Sequence, residues 1–147
     1  GNPERYIKPR LFIPESSARV KAAIARERIY SAYGILVATQ RDQHYDLEYA
    51  CALLNSSLVT FYAIERQILR KGKKATPHIG VRGLKAIPIP KPGRDDLKLI
   101  KVLVTKAIEH NNSIQAILKE LDDLIFKLYR IAPEEQRIIT KYIEDIL

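Results

Sequence analysis

Four prolines, Pro77, Pro88, Pro90 and Pro92, crowd the middle of this chain. Each fixes φ and removes a backbone donor, so no regular helix or central strand is predicted through residues 73–94. In Ile87-Pro88-Ile89-Pro90 the residue before each proline is pushed away from the α region, which gives a stiff, extended junction. The junction separates two parts with different hydrophobic rhythms, residues 1–94 and residues 95–147.

The first part reads as short strands and then short helices. Leu11-Phe12-Ile13 is a compact apolar run closed by Pro14. Val20, Ala22 and Ile24 alternate with Lys21, Ala23 and Ala25, the period of a half-buried strand. Residues 29–39 are rich in β-branched and aromatic types, with Gly34 as a bend or bulge. After the polar turn 41–44, Asp46 suits a helix N-cap. A short apolar helix is predicted over 47–54, interrupted by Asn55-Ser56-Ser57, which offers a second cap. The next helix carries Leu58, Phe61, Tyr62, Ile68 and Leu69 at helical spacing and is expected to end at Gly72, a favourable residue just past a helix end.

The second part is helical. Asp95 or Asp96 is the expected cap. Ile100, Val104, Ala107, Asn111, Ile114, Leu118, Leu121, Ile125 and Leu128 alternate steps of four and three, a heptad seam with Asn111 at one apolar position. A continuous seam spans about 42 Å of helix. His110-Asn111-Asn112-Ser113 are weak helix formers, so a break there is the main alternative. Pro133 suits the first turn of a short last helix, with Glu134 and Glu135 near its positive dipole end. The fold class is α+β: a small mixed β-sheet with helices, followed by a long C-terminal helix and a short terminal helix.

The charge is distributed unevenly. The formal net charge is +8. Residues 66–94 hold 9 basic and no acidic side chains, while the other residues together sum to −1. Such a segment suggests an anionic partner, of which nucleic acid is the commonest. A solvated lysine-rich loop that binds nothing is the alternative. The single cysteine, Cys51, excludes an internal disulfide and fits a reducing compartment such as the cytoplasm. No apolar run approaches the length of a membrane span, and no membrane partner is expected. The sequence contains no methionine, which leads us to expect a piece of a longer protein.

Catalytic chemistry is hard to find. His44, His78 and His110 lie far apart and lack metal-ligand spacing. Cys51 sits in an apolar helix, where a buried thiol is the simpler reading than a nucleophile. There is no Gly-rich phosphate loop, GxSxG elbow or HExxH. Asp122, Asp123, Glu134 and Glu135 fit exposed helix faces and caps. The expectation is a non-catalytic domain with no cofactor of its own.

The basic segment holds the candidate DNA-binding residues Arg66, Arg70, Lys71, Lys73, Lys74, His78, Arg82 and Lys85. Arginine can read guanine edges with two hydrogen bonds, whereas lysine mostly neutralises phosphate. Arg66, Arg70 and Arg82 are therefore the better base readers, and Lys71, Lys73 and Lys74 the phosphate contacts. Spacing of four places Arg66 and Arg70 on one helix face. Gly72, Gly80 and Gly83 would let a ligand approach the backbone closely. Tyr30, Tyr33 and Tyr62 could stack on bases, but core packing is the expectation for each.

Four blocks in order carry a family resemblance: KPRLFIP (8–14), YACALLNSSLVTFY (49–62), TPHIGVRGLKAIPIP (76–90) and LDDLIFKLYRIAPEE (121–135). Together they resemble the TaqI-like C-terminal specificity domain, the target-recognition region of adenine DNA methyltransferases and fused restriction–modification enzymes. Two positions depart from its pattern: Arg130 stands where the family usually has Gly, and Ala132-Pro133-Glu134 where it has Thr-Glu-Glu. Residues 15–41 match nothing that can be carried over. The family's catalytic Asn or Asp followed by Pro-Pro and an aromatic is absent, as is its glycine-containing cofactor loop.

The resemblance implies sequence-specific recognition of double-stranded DNA by residues 1–94, with 95–147 as a helical extension. It implies a methyltransferase domain upstream in the same polypeptide, using S-adenosylmethionine, perhaps joined to a nuclease. Half of a type I specificity subunit is the nearest rival. A helical assembly domain, self-associating through the seam, is a rival of another class.

Overall fold

The computed structural model describes residue 3 and residues 8–70 and 76–146, with Asn111 described by its backbone alone. Strand β1 (Arg10–Pro14) is the centre of a three-stranded sheet, flanked by β2 (Ala23–Ala25) and β3 (Ile35–Thr39). Both pairings are antiparallel, so the sheet is not mixed as expected from the sequence. Phe12 sits opposite Ala23 on one side and Val37 on the other. Residues 29–33 do not join β3, because Gly34 turns the chain at φ +83° just before Ile35.

One face of the sheet packs on helices. Alternation sends Leu11 and Ile13 toward Leu47 and Cys51 of α1 (Leu47–Asn55). Asp46 caps α1 as expected, its carboxylate accepting the Tyr49 N–H at 3.0 Å. Asn55 then works as a clamp: its side-chain amide donates to the Ala22 carbonyl at 2.8 Å, and its oxygen accepts the Ala22 N–H. Ser56 caps α2 (Ser57–Glu65) by accepting from Val59 N–H. The interruption that the sequence shows at 55–57 is thus a joint that holds both the helices and the chain at Ala22.

Helix α2 ends at Glu65, one and a half turns before Gly72. Gln67 adopts φ +55°, with its N–H bonded to the Ile64 carbonyl and the Ile68 N–H to the Ala63 carbonyl. This is a Schellman closure with glutamine in the position glycine usually holds. It turns Leu69 into the core, where it is buried. Arg66 and Arg70 consequently do not share a helix face, correcting the spacing argument.

A short helix, α3 (Val81–Lys85), fits between Pro77 and Pro88, where the prolines had argued for none. Two tyrosine hydroxyls then hold the proline junction: Tyr49 donates to the Pro90 carbonyl at 2.5 Å and Tyr129 to the Pro88 carbonyl at 2.6 Å. Burial raises both phenols, Tyr129 to about 12, so they stay protonated donors.

The long helix is broken. Helix α4 (Arg94–Glu109) stops at His110, one 3-10 turn covers Asn111–Ser113, and α5 (Ile114–Leu128) folds back against α4. The weak helix formers at 110–113 allow the break. The gain is burial: Ile100, Leu103 and Val104 meet Ile117, Leu121 and Ile125 in one core, where a straight helix would leave its seam without a partner. The Asn111 side chain lies outside the described residues. Helix α4 begins after Gly93, with Asp95 and Asp96 in its first turn, so neither aspartate is the cap. The last helix, α6 (Pro133–Ile146), is as substantial as α5 rather than short, and it packs on α2.

The main hydrophobic cluster runs from Val20 through α1, α2, α4, α5 and α6 to Ile143, crossing residue 94 without interruption. Asp122 of α5 accepts from both the Ser57 N–H (2.8 Å) and the Ser57 hydroxyl (2.6 Å). A carboxylate at that helix start is favoured by the dipole. No single helix among the described residues is long and apolar enough to cross a membrane.

Candidate nucleic-acid interface

The basic segment is built onto the sheet edge by backbone pairing. Past Pro14 the chain continues alongside residues 77–79: Ile79 N–H donates to the Glu15 carbonyl at 2.8 Å and Ser17 N–H to Pro77 at 3.2 Å. On the other side of this segment His78 and Arg70 exchange both backbone hydrogen bonds, at 2.9 and 3.0 Å. Arg70 and His78 are therefore neighbours, although eight positions separate them, and both side chains are exposed.

Arg82 and Lys85 are also exposed, on α3. That helix sits tightly against the α2 turn, since a Cβ on Gly83 would lie 2.7 Å from Ile68 Cγ2. Gly83 is thus needed for packing within the chain and does not offer its backbone to a ligand. Gly80 has open space around it. Arg66 lies at the end of α2 with its guanidinium 5.7 Å from the Tyr62 ring, a cation–π arrangement. Of the eight candidates, Arg66, Arg70, His78, Arg82 and Lys85 fall on described residues. Lys71, Lys73 and Lys74, with Gly72, lie outside them.

The opposite face of the sheet shows what the sequence reading missed. Strand β2 ends beside Arg10 and β3 begins beside Pro14, so residues 26–34 must cross β1. They cross on the face away from α1. Arg10, wholly buried there, donates to the carbonyls of Lys8 and Glu27 at 3.1 Å and also to that of Ile29. Its guanidinium stands 5.1 Å from the Phe12 ring. A buried cation costs several kcal/mol of desolvation. Hydrogen bonds from a charged donor, at about 1.5–3 kcal/mol each, offset a cost of that size.

Arg26 is tied down too, by a 2.7 Å ion pair to Glu48 of α1. Burial works to raise the Glu48 carboxyl, but the Arg26 hydrogen bond and nearby positive charges hold it below the usual value. The segment so fixed exposes Arg28, Ile29, Tyr30 and Tyr33. Tyr30 is 64% exposed and Tyr33 wholly so, which corrects the expectation of core packing for both. Tyr62 is half-buried. The strand-like composition of 29–33 concealed this, because period and residue type cannot separate an edge strand from a crossing segment.

Cys51 is buried, and burial pushes its thiol up to about 11, the opposite of an activated nucleophile. Among the described residues no three His, Cys, Asp or Glu side chains come together to hold a metal ion.

A family model described as the TaqI-like C-terminal specificity domain matches residues 2–89. No curated protein matches the sequence.

Proposed function

The chain belongs to the TaqI-like C-terminal specificity domain family, and from that premise we propose that it recognises a specific sequence in double-stranded DNA for a DNA methyltransferase or fused restriction–modification enzyme. The observation that carries the reading is the pairing of Arg70 with His78. It gathers the ends of the basic segment onto one edge, with Arg66 on the turn before it and Arg82 on the helix after it. Exposed cations on ordered backbone favour phosphate contact, and arginines among them favour base edges.

Methyl transfer is proposed for a separate domain of the same polypeptide, with S-adenosylmethionine as its cofactor. The sequence here carries neither the Pro-Pro catalytic motif nor the cofactor loop, and no step of that reaction is derived from its residues. The assembly reading loses its main surface, since the seam residues Ile100, Val104, Leu121 and Ile125 are buried in the chain's own core.

Selection from a random-sequence duplex library tests the proposal. A short consensus, recovered repeatedly and bound in preference to scrambled duplex, is the expected result. Binding with no sequence preference, or no binding at all, would reject specific recognition.

A further inference from the structure

We infer that the crossing segment 26–34 is a second DNA-contacting surface, in which Tyr33 stacks on a nucleobase beside the basic edge. The inference rests on the proposed function. Its own grounds are exposure, support and placement.

Tyr33 is wholly exposed, and Tyr30 and Ile29 beside it are 64% and 48% exposed. Val37, on the same sheet face, is 37% exposed. Apolar side chains gathered in solvent on one face mark an interaction surface more often than single ones do.

The segment is also fixed in place. Arg10 is buried to hold the Glu27 and Ile29 carbonyls, and Arg26 is paired with Glu48. An aromatic presented from such a support loses little conformational freedom on binding.

Placement selects the partner. The Gly34 carbonyl, next to Tyr33, accepts the Glu15 N–H at 2.9 Å, and the Glu15 carbonyl accepts from Ile79. Residues 34, 15, 78 and 70 therefore lie in successive strand-like rows. Three row spacings put the backbones of Gly34 and Arg70 about 14 Å apart, close to the ~12 Å width of a DNA major groove. Residues 19–33 add Arg19, Lys21, Arg26 and Arg28 against Glu27 alone. An apolar protein surface would not call for that charge, whereas nucleic acid offers phosphates to the arginines and a π-face to the tyrosine.

The test compares the chain with its Tyr33→Ala and Tyr33→Phe variants on the duplex recovered by selection, with sedimentation and thermal melting alongside. Because Tyr33 is solvent-exposed, Tyr33→Ala should melt as the parent does. It should bind roughly 5- to 150-fold more weakly, the worth of stacking on one base. Its salt dependence should be unchanged, since no charge is lost, and Tyr33→Phe should bind like the parent. Tyr33→Ala binding as tightly as a parent that binds its duplex overturns this inference and leaves the proposed function standing. A parent that binds no duplex overturns both. Loss of self-association in Tyr33→Ala without loss of DNA affinity would assign the face to a second copy of the chain and overturn the inference.

Discussion

Tyr49 and Tyr33 lie on opposite sides of one small sheet. Tyr49, in the helical layer, is wholly buried and gives its hydroxyl to Pro90. Tyr33, on the crossing segment, stands in solvent. The same contrast runs through their surroundings. In the helical layer polar side chains join parts of the chain: Asn55 to Ala22, Asp122 to Ser57, Tyr129 to Pro88. On the crossing segment and the adjoining edge, Arg28, Arg66, Arg70, His78 and Arg82 are exposed. One region uses its functional groups to stay folded, and the other presents them. Stability and recognition should therefore respond to different mutations.

The largest separation is expected at Ile100, wholly buried between the helices. Ile100→Ala should destabilise the fold by about 2–5 kcal/mol. It should leave the salt dependence of DNA binding unchanged at temperatures where the variant remains folded. Chemical denaturation checks the first effect and a salt titration the second. A large change in slope at full folding would show that the two regions are not separable.

A smaller effect, of opposite sign, is expected at Arg130. It takes φ +54° at the end of α5, where its N–H bonds to Lys127 and the Ile131 N–H to Phe126. This is the same Schellman closure as at Gln67, again without glycine. A left-handed residue with a side chain costs roughly 1–2 kcal/mol. Arg130→Gly should recover about 1 kcal/mol after its greater unfolded-state entropy is counted. A melting curve that does not rise would mean that the arginine side chain offsets its own backbone strain.

These two joints also show how far the sequence could be read. The caps at Asp46 and Pro133, the break at 55–57 and the α+β class follow from local chemistry, and they stand in the structure. The end of α2 was misplaced because Gln67 does what glycine normally does, so Gly72 looked like the stop. The seam of α4 and α5 was legible as a buried stripe, since Ile100, Val104, Leu121 and Ile125 are all buried. Its continuity was not, because heptad spacing is equally satisfied by two helices folded onto one core. The basic segment stood out in the charge count, but the pairing of Arg70 with His78 needs the strand edge at Glu15. The exposed tyrosines were hidden by their β-like neighbours, and only the crossing held by Arg10 reveals their side of the sheet.

The central claim is that the edge built from residues 66–94 faces DNA. Fluorescence anisotropy with duplex DNA across a salt series tests it most directly, comparing the parent chain with a variant carrying alanine at Arg70, Arg82 and Lys85. If about five of the segment's charges neutralise phosphates, log affinity should fall against log salt with a slope near −4.5, a loss of roughly 500-fold between about 50 and 200 mM. The variant should bind more weakly and its slope should flatten by about 2.7, or 0.9 for each phosphate contact removed. A variant that binds with the parent's affinity and the parent's slope would place the DNA surface elsewhere on the molecule.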